Sequence, residues 1–551
     1  MRVDAIVIGG GHNGLTAAAY LARAGLRTVV LERRARLGGA CVTEELWPGY
    51  RISRAAYVAG LLRPAVVREL ELGARGLRLL RRAPSSFTPL PDGRGLLLGP
   101  DPDGCAREIG RFSTRDARRY PDYERLLDRA ARAFEPLLDR PPPDPARLRL
   151  RDLPALGGLA ARMLGLRRDL ARVARLLLAP ARSTLESWFE SEPLRSTLAT
   201  DALIGAWAAP STPGTGYVLF HHVMGETGGA RGVWAYVAGG MGALSEAIAS
   251  AARAAGAELW TDAPVASVEV RDGRARGVAL EDGRTLEAPL VVSNLDPRRT
   301  LLGLVGTPKL APELVAELEA LDFRSPVVKI NAALDRLPRF RGRAGAGAGP
   351  EHVGTIHVGA TDLDALERSF SEAAAGRLPE RPMVELTIPS ALDPGLAPAG
   401  HHVVSLFVQH VPHDWDGARW QGPREAFADR VFALVDEVAP GFSASVIHRE
   451  LLAPPDLEAL FGLTGGNIFH GAMTLDRLLF LRPLAGMARY ATPIEGLWLC
   501  GAATHPGGGV MGACGRNAAR EILLRLRGKP PATGIPASRC GAQRGEAERS
   551  S

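Results

Sequence analysis

With 551 residues, the chain can hold about two to four domains' worth of core. Its composition, 46% hydrophobic and 23% charged, is that of a globular protein and excludes wholesale disorder. The formal net charge of +7 permits contact with anionic lipid or nucleic acid, but basic and acidic residues are interspersed and no nucleic-acid-binding motif occurs.

The first predicted element is a strand, a tight turn and a helix at the start of the chain. The turn has the spacing G-x-G-x-x-G at Gly9, Gly11 and Gly14, and an Ala-rich helix from Leu15 to Ala24 follows. Gly9 permits a sharp turn, Gly11 leaves no Cβ beside a pyrophosphate, and Gly14 lets the helix lie close to the sheet. The free amides at the helix start favour an anion.

A second strand, Thr28-Val-Val-Leu-Glu32, ends on an acid eighteen residues after Gly14. A carboxylate there accepts hydrogen bonds from an adenosine ribose and repels a 2′-phosphate. A lone glycine motif is weak, because glycine turns often precede helices in ordinary strand-to-helix packing. Strand, turn, helix and acid together predict a ligand that contains ADP without that phosphate.

Residues 101–200 are rich in Leu, Ala and Arg and predict several helices. One apolar stripe has helical spacing, with arginines on the opposite face. The stripe is Leu159, Met163, Leu166, Leu170, Val173 and Leu177, and the arginines are Arg168, Arg172 and Arg175. We expect this helix to pack on a core with a solvated arginine face, although a basic amphipathic helix can also lie on a membrane interface.

The middle of the chain predicts a helix opened by Ala238–Leu244 and an extended segment over 257–270. From residue 326 the pattern changes to β-structure. The predicted strands are Val327–Leu334, Met383–Ile388 and His402–His410.

The final predicted elements are a short buried strand, Leu497–Cys500, a glycine loop and a helix of small residues from Val510 onward. Small side chains allow a backbone to approach a flat ring closely, and the amides at a helix start can stabilise negative charge. The tail, 528–551, is polar and is predicted to be disordered.

Several of these segments together resemble a known family. Glu32-Arg-Arg-Ala-Arg-Leu-Gly-Gly39 extends the opening motif as in flavin oxidoreductases of the glutathione-reductase-like superfamily, and the segment 496–520 resembles the C-terminal flavin motif of phytoene desaturase-like proteins. With Val42–Gly49 and Gly465–Gly471, the chain looks most like the pyridine nucleotide-disulfide oxidoreductase domain-containing protein 2 group. The resemblance covers nearly everything to residue 527.

The resemblance implies an α/β fold, a glutathione-reductase-like FAD-binding Rossmann domain with an inserted α+β substrate domain. The FAD-binding domain would be discontinuous, over 1–80, 232–305 and 460–527. The substrate domain, a helical insert and an antiparallel sheet, would take 81–231 and 306–459.

FAD is the implied cofactor, and the implied binding residues lie in the opening motif, the second strand, the middle segment and the last loop. They are Gly9, Gly11, His12, Asn13, Gly14, Glu32, Arg33, Gly38, Gly39, Val265, Gly501, Gly509, Val510 and Met511. The chain departs from many relatives at Ala40, where they have arginine, and at Gly501 and Ala502, where many flavoproteins place an acid. It also has no C-x-x-C pair and no second G-x-G-x-x-G, so it is not expected to be a disulfide reductase.

A flavin enzyme needs a group that takes or gives a proton beside the substrate C–H bond. The candidates are His505 in the glycine loop, His470 in a glycine-flanked turn, and Arg516, which could instead form an ion pair. His505 could equally be a structural hydrogen-bonding residue. His221-His222 and His410 with His413 lack further spaced ligands, so no metal site is predicted.

We expect an FAD-dependent oxidoreductase that dehydrogenates, or isomerises through transient reduction, an apolar unsaturated small molecule. Two alternatives stay open: a carotenoid (phytoene) desaturase proper, and a flavin-binding regulatory or scaffold protein without turnover.

Five cysteines without a C-x-x-C pair fit a reducing compartment. The first strand begins at about residue 3, which leaves no room for a leader before it, and no window has about 18 uninterrupted apolar residues. The sequence therefore predicts a cytoplasmic protein, with peripheral membrane contact left open.

Overall fold

The computed structural model describes residues 1–145, 148, 150–227, 230–343, 345, 347–359 and 361–528. The predicted disordered tail, apart from Gly528, lies outside the described residues. The strands are β1 Ala5–Ile8, β2 Thr28–Leu31, β3 Thr43–Trp47, β4 Tyr50–Ser53, β5 Leu79–Arg81, β6 Ser86–Pro89, β7 Gly95–Leu98, β8 Glu226–Thr227, β9 Ala230–Arg231, β10 Ala235–Val237, β11 Glu258–Trp260, β12 Val265–Arg271, β13 Arg274–Leu280, β14 Thr285–Glu287, β15 Leu290–Ser293, β16 Val327–Leu334, β17 Thr355–Val358, β18 Met383–Thr387, β19 His402–Gln409, β20 Val446–Leu452 and β21 Leu497–Leu499.

The helices between them are α1 His12–Arg23, α2 Pro64–Glu69, α3 Pro102–Gly110, α4 Thr114–Leu138, α5 Leu153–Gly165, α6 Leu170–Leu178, α7 Ala181–Trp188, α8 Glu192–Thr200, α9 Thr215–Val223, α10 Met241–Ala254, α11 Pro312–Glu319, α12 Leu363–Ala374, α13 Gly417–Gln421, α14 Arg424–Val438, α15 Phe442–Ser445, α16 Pro454–Phe461 and α17 Ala513–Arg527.

A parallel five-stranded sheet in the order β11-β2-β1-β15-β21 forms the centre of one half of the molecule. Every residue of β1, β2 and β15 is buried, since α1 and α17 cover one face and the β12–β14 meander covers the other. A sheet covered on both faces requires uninterrupted apolar strands. The predicted α/β Rossmann class is confirmed, and its strands lie within 1–80, 232–305 and 460–527, whose boundaries stay a prediction.

A mixed seven-stranded sheet in the order β20-β16-β19-β18-β17-β6-β7 forms the other half. Its pairs are antiparallel except for β17 with β6. The β16 strand spans the residues that the sequence predicted, and α14 packs its apolar face on the sheet. Helices α4 and α6–α9 form a separate core around Tyr123 and Phe220.

Two helices differ from the prediction. The stripe from Leu159 to Leu177 lies on two helices, α5 and α6, because the chain breaks at 166–169. The break follows Gly165, a poor helix former, and Asp169 begins the next helix. The helix of small residues starts at Ala513 rather than at Val510, whose φ of 55° is not helical. None of the described helices is both long and apolar enough to cross a membrane.

Candidate functional site

The opening glycines form a turn that no larger residue could replace. Gly9 has a φ of 93°, in the region that favours glycine. A Cβ on Gly14 would lie 2.1 Å from the Gly9 carbonyl oxygen, so the helix meets the turn without a side chain between them. Gly38 N–H donates to Gly10 O at 2.8 Å, and a Cβ on Gly39 would touch Gly11 Cα. The two glycine segments therefore form one backbone cradle at the N-terminus of α1.

Glu32 lies at the edge of this cradle. Its Oε2 accepts the Gly10 N–H at 2.8 Å, its Oε1 accepts the Arg34 N–H at 3.0 Å, and its side chain is buried. Glu32 O also accepts the Ala263 N–H at 2.9 Å, which places Val265, at the start of β12, close behind. Arg33 Nη2 donates to Ala459 O at 2.6 Å.

The last loop of the chain lies beside the first. Helix α17 packs directly on α1, since a Cβ on Gly515 would lie 2.1 Å from the Asn13 carbonyl oxygen. Ahead of α17, Gly501 lies against the Asn294 backbone and Gly509 against the Leu61 side chain, each too close for a Cβ. Met511 is buried, and its carbonyl accepts the Arg63 N–H. The first and last loops, which the resemblance implies as FAD-binding segments, thus lie side by side in the structure.

A cavity of about 160 Å³ joins the two loops. His12 and Ala40 line it on the side of the first loop, and Ala502, Gly509 and Val510 line it on the side of the last. The rest of its wall is largely aromatic and aliphatic. That part includes Tyr57, Leu61, Ile204, Trp234, Val327, Phe407, Leu463 and Phe469. An apolar cleft with a few polar groups is the usual form of a small-molecule site.

The ionisable side chains of this wall include Lys329, His12 and His470. Burial lowers the pKa of Lys329 from 10.5 to about 7, and it lowers the pKa of His12 and of His470 to about 4. Lys329 Nζ lies 4.6 Å from the Tyr57 ring centroid and has no hydrogen-bond partner among the described residues. His470 has a φ of 57°, a strained conformation for a residue with a side chain. Of the three predicted catalytic residues, His470 is the one that lines the cavity.

The other two are held by structural contacts. The His505 ring is buried, its Nε2 lies 2.8 Å from Leu137 O, and burial lowers its pKa to about 4. Arg516 donates from Nε and Nη2 to the two oxygens of Glu69, at 2.9 and 2.6 Å, which is the ion pair that the sequence left open. Neither lines the apolar cavity. Their catalytic assignment stays a prediction.

Sequence reasoning missed Lys329, Tyr57 and Asn294. Lys329 carried a signal, since it is a lone lysine inside the buried apolar strand β16. The Asn294 side chain packs beside Gly9, Gly11 and Gly14, and Tyr57 donates from its hydroxyl to Glu385 Oε2 at 2.9 Å. Asn294 and Tyr57 contact these partners only in the folded protein, so no local sequence pattern indicates their place in the site.

Within the described ranges, no three His, Cys, Asp or Glu side chains converge as a metal site would require. The four cysteines that the structure describes, Cys41, Cys105, Cys500 and Cys514, are free and buried.

The residues present fit a flavin dinucleotide. The cradle leaves no room for side chains, Glu32 is placed for a ribose, and the cavity offers flat apolar walls between the first and last loops. His12 Nε2 and Asn13 Oδ1 are buried beside the cradle without partners in the described chain, as expected of groups that face a polar ligand.

Comparisons with known proteins identify the family and the fold of this chain. A family model described as flavin containing amine oxidoreductase matches residues 14–523. The pyridine nucleotide-disulfide oxidoreductase domain-containing protein 2 of Rattus norvegicus is 49% identical over 95% of this chain and 94% of its own. A limonene dehydrogenase chain of Castellaniella defragrans is 28% identical, over 95% and 94%. Among solved structures, cyclohexylamine oxidase from Brevibacterium oxydans has a TM-score of 0.56 at 19% identity, over 95% of this chain and 99% of its own, which shows a shared fold.

Proposed function

We propose that this chain, which belongs to the flavin-containing amine oxidoreductase family and is an FAD-dependent oxidoreductase, dehydrogenates or isomerises a small molecule. The proposed substrate is apolar and unsaturated. The resemblance to the pyridine nucleotide-disulfide oxidoreductase domain-containing protein 2 group is confirmed by 49% identity. The observation that carries the proposal is the composition of the cavity between the first and last loops, whose wall is mostly apolar.

Each part of the site has a separate task. When bound, FAD supplies the two-electron acceptor for a hydride. Glu32 and the glycine cradle hold the nucleotide, and the aromatic wall around Phe407 and Trp234 holds an apolar substrate and excludes water. The limonene dehydrogenase relative supports a hydrocarbon substrate, since limonene is an unsaturated hydrocarbon.

Lys329 is our first candidate for the group that accepts the substrate proton. Dehydrogenation removes one hydrogen as hydride and a second as a proton, and a buried amine with a pKa of about 7 is poised to accept that proton in its neutral form. His470 is the second candidate, because its ring faces the same cavity and is neutral near pH 7. In an isomerisation, the same group would return the proton.

The test is an anaerobic screen of the flavin-loaded protein. We expect limonene or another unsaturated hydrocarbon to bleach the flavin absorbance, and the saturated control p-menthane to leave it unchanged. Bleaching by amines and by no hydrocarbon would contradict the proposed substrate class.

Two further outcomes would replace the proposal. Carotenoid formation in a phytoene-accumulating host would show a carotenoid desaturase proper. Bound flavin that no substrate reduces, together with a reproducible protein partner, would show a scaffold role, which turnover with oxygen or a quinone as acceptor would eliminate.

A further inference from the structure

A second, larger cavity of about 950 Å³ adjoins the apolar one, and Trp234 lines both. Tyr57 connects them, because its ring lines the apolar cavity while its hydroxyl donates to Glu385, which lines the larger one. The wall of the larger cavity is mixed, with apolar side chains beside a group of polar and ionisable ones. It includes Arg82, Tyr123, Glu124, Asp201, His357 and Glu385.

Arg82 is the unusual group in this wall. Its side chain is 2% exposed, and its Nη1 donates to Thr355 Oγ1 at 2.8 Å. Among the described residues, its Nε has no hydrogen-bond partner and no carboxylate lies within ion-pair distance of it. The guanidinium otherwise faces the rings of Trp234 and Tyr236. A buried guanidinium keeps its charge and is costly without a counter-charge, so this position is suited to an anion.

Two acids of this wall, Glu385 and Asp201, carry less than their full negative charge near neutral pH. Burial, reinforced by Asp201, raises the pKa of Glu385 to about 8, and burial raises the pKa of Asp201 to about 7, while the Arg82 charge acts on both carboxyls in the opposite direction. Near neutral pH Glu385 is therefore protonated and Asp201 partly so, and a protonated carboxyl can donate a hydrogen bond to a carboxylate.

We propose that this larger cavity binds the carboxylate end of an amphipathic substrate, with Arg82 as its counter-charge. The apolar end of the same molecule passes Trp234 and reaches the flavin cavity. This assignment rests on the proposed function and narrows its substrate class from an apolar molecule to one with an apolar reacting end and an anionic end.

The experiment compares three ten-carbon probes on the flavin-loaded protein: decanoate, methyl decanoate and decylamine. Binding is measured by calorimetry and by the change in the flavin spectrum. We expect decanoate to bind at least tenfold more tightly than the other two. Tighter binding of decylamine, or equal binding of decanoate and its ester, would overturn the anion site, and neither result depends on a variant.

Substitutions of Arg82 test whether the anion binds at this residue. Arg82→Gln should weaken decanoate binding at least tenfold, and Arg82→Lys should weaken it less because the charge remains. The exposed, ion-paired Arg94 provides the control, and Arg94→Gln should leave binding unchanged. Unchanged decanoate binding in a folded, flavin-loaded Arg82→Gln protein would overturn the assignment.

The anion site and the proposed function can fail separately. If only the anion site is wrong, an unsaturated hydrocarbon still bleaches the flavin while decanoate does not bind. If only the proposed function is wrong, decanoate binds in an Arg82-dependent manner, but no unsaturated acid or hydrocarbon bleaches the flavin.

A separate observation concerns the surface of α5 and α6. Helix α5 has no buried residue, although five of its thirteen residues are Leu or Met and three are Ala. Leu150, Leu153, Leu164, Leu170 and Leu178 are all about half exposed or more. Arg162, Arg167 and Arg168 make no ion pair with the described residues. Exposed leucines with unpaired arginines match the chemistry of an anionic bilayer surface.

We infer that this leucine-arginine surface docks on an anionic lipid bilayer. The full chain should co-sediment with vesicles that contain phosphatidylserine and much less with phosphatidylcholine alone. The double variant Leu153→Asp/Leu164→Asp should lose at least tenfold in vesicle affinity. Leu524→Asp, at an exposed leucine of α17, should not. Equal sedimentation of the double variant, or self-association through this surface without vesicle binding, would overturn the inference.

Discussion

Replacing Lys329 with methionine tests the electrostatics of the cavity. The lysine side chain is 2% exposed, its ammonium has no hydrogen-bond partner among the described residues, and its main electrostatic support is the more distant Glu450. Methionine keeps most of the apolar stem and removes the charge. The substitution should therefore stabilise the protein most at pH values at which the buried lysine is protonated in the folded state.

The sign and size of this change in stability follow from the lowered pKa of Lys329. Burial lowers the pKa of Lys329 from 10.5 in an unfolded chain to about 7, so between these pH values the unfolded chain binds more protons and stability rises with pH. The whole difference corresponds to about 5 kcal/mol at about 1.4 kcal/mol per pH unit, which is an upper bound. The cost is fully present below pH 7 and is gone above pH 10.5.

The assay is urea unfolding of the flavin-loaded wild type and Lys329→Met at several pH values from 6.5 to 9.5. We expect the variant to be more stable at the lowest pH and the gap to close as pH rises, since the other titrations are common to both proteins. Lys309→Met, at an exposed lysine, should show no such change. A gap independent of pH, or a variant less stable at pH 6.5, would refute the reasoning.

Three other substitutions have clear expected outcomes. Glu32→Ala removes the acceptor of the Gly10 and Arg34 amides and should weaken FAD binding about tenfold or more, as measured by equilibrium dialysis; unchanged FAD affinity would count against the cradle. Gly515→Ala puts a Cβ 2.1 Å from Asn13 O and should cost about 3 kcal/mol or more, whereas Gly157→Ala, with open space around it, should be neutral or mildly stabilising. Arg516→Met breaks the pair with Glu69 and should cost about 1–3 kcal/mol in unfolding experiments while the rate of flavin reduction stays within about twofold; a large loss of rate at unchanged stability would instead restore its catalytic assignment.

The sequence was informative where one short segment carries its own physical constraint. The opening turn needs glycine at Gly9 for its φ and at Gly14 for close approach, and β16 is mostly apolar because both its faces are buried. Such requirements appear directly in the amino-acid order. They were sufficient for the opening strand, turn and helix of the Rossmann half and for three strands of the second sheet, β16, β18 and β19, whereas the flavin cofactor was implied by the family resemblance.

The residues that line the cavity could not be predicted from local sequence patterns. Tyr57, Trp234 and Phe407 come from three distant segments and meet only after the two sheets have packed. The contact of His505 with Leu137 joins residues 368 positions apart, and that of Arg516 with Glu69 spans 447. A histidine in a glycine loop has the same local pattern whether its ring faces a ligand or a backbone carbonyl.

The most direct measurement is a crystal structure of the protein with FAD. The pyrophosphate should lie on the Gly9–Gly14 turn and the ribose at Glu32. The isoalloxazine should lie in the cavity between Ala40 and Val510, within reach of Lys329 directly or through one water. A ring placed outside that cavity, or a pyrophosphate away from the turn, would contradict the account.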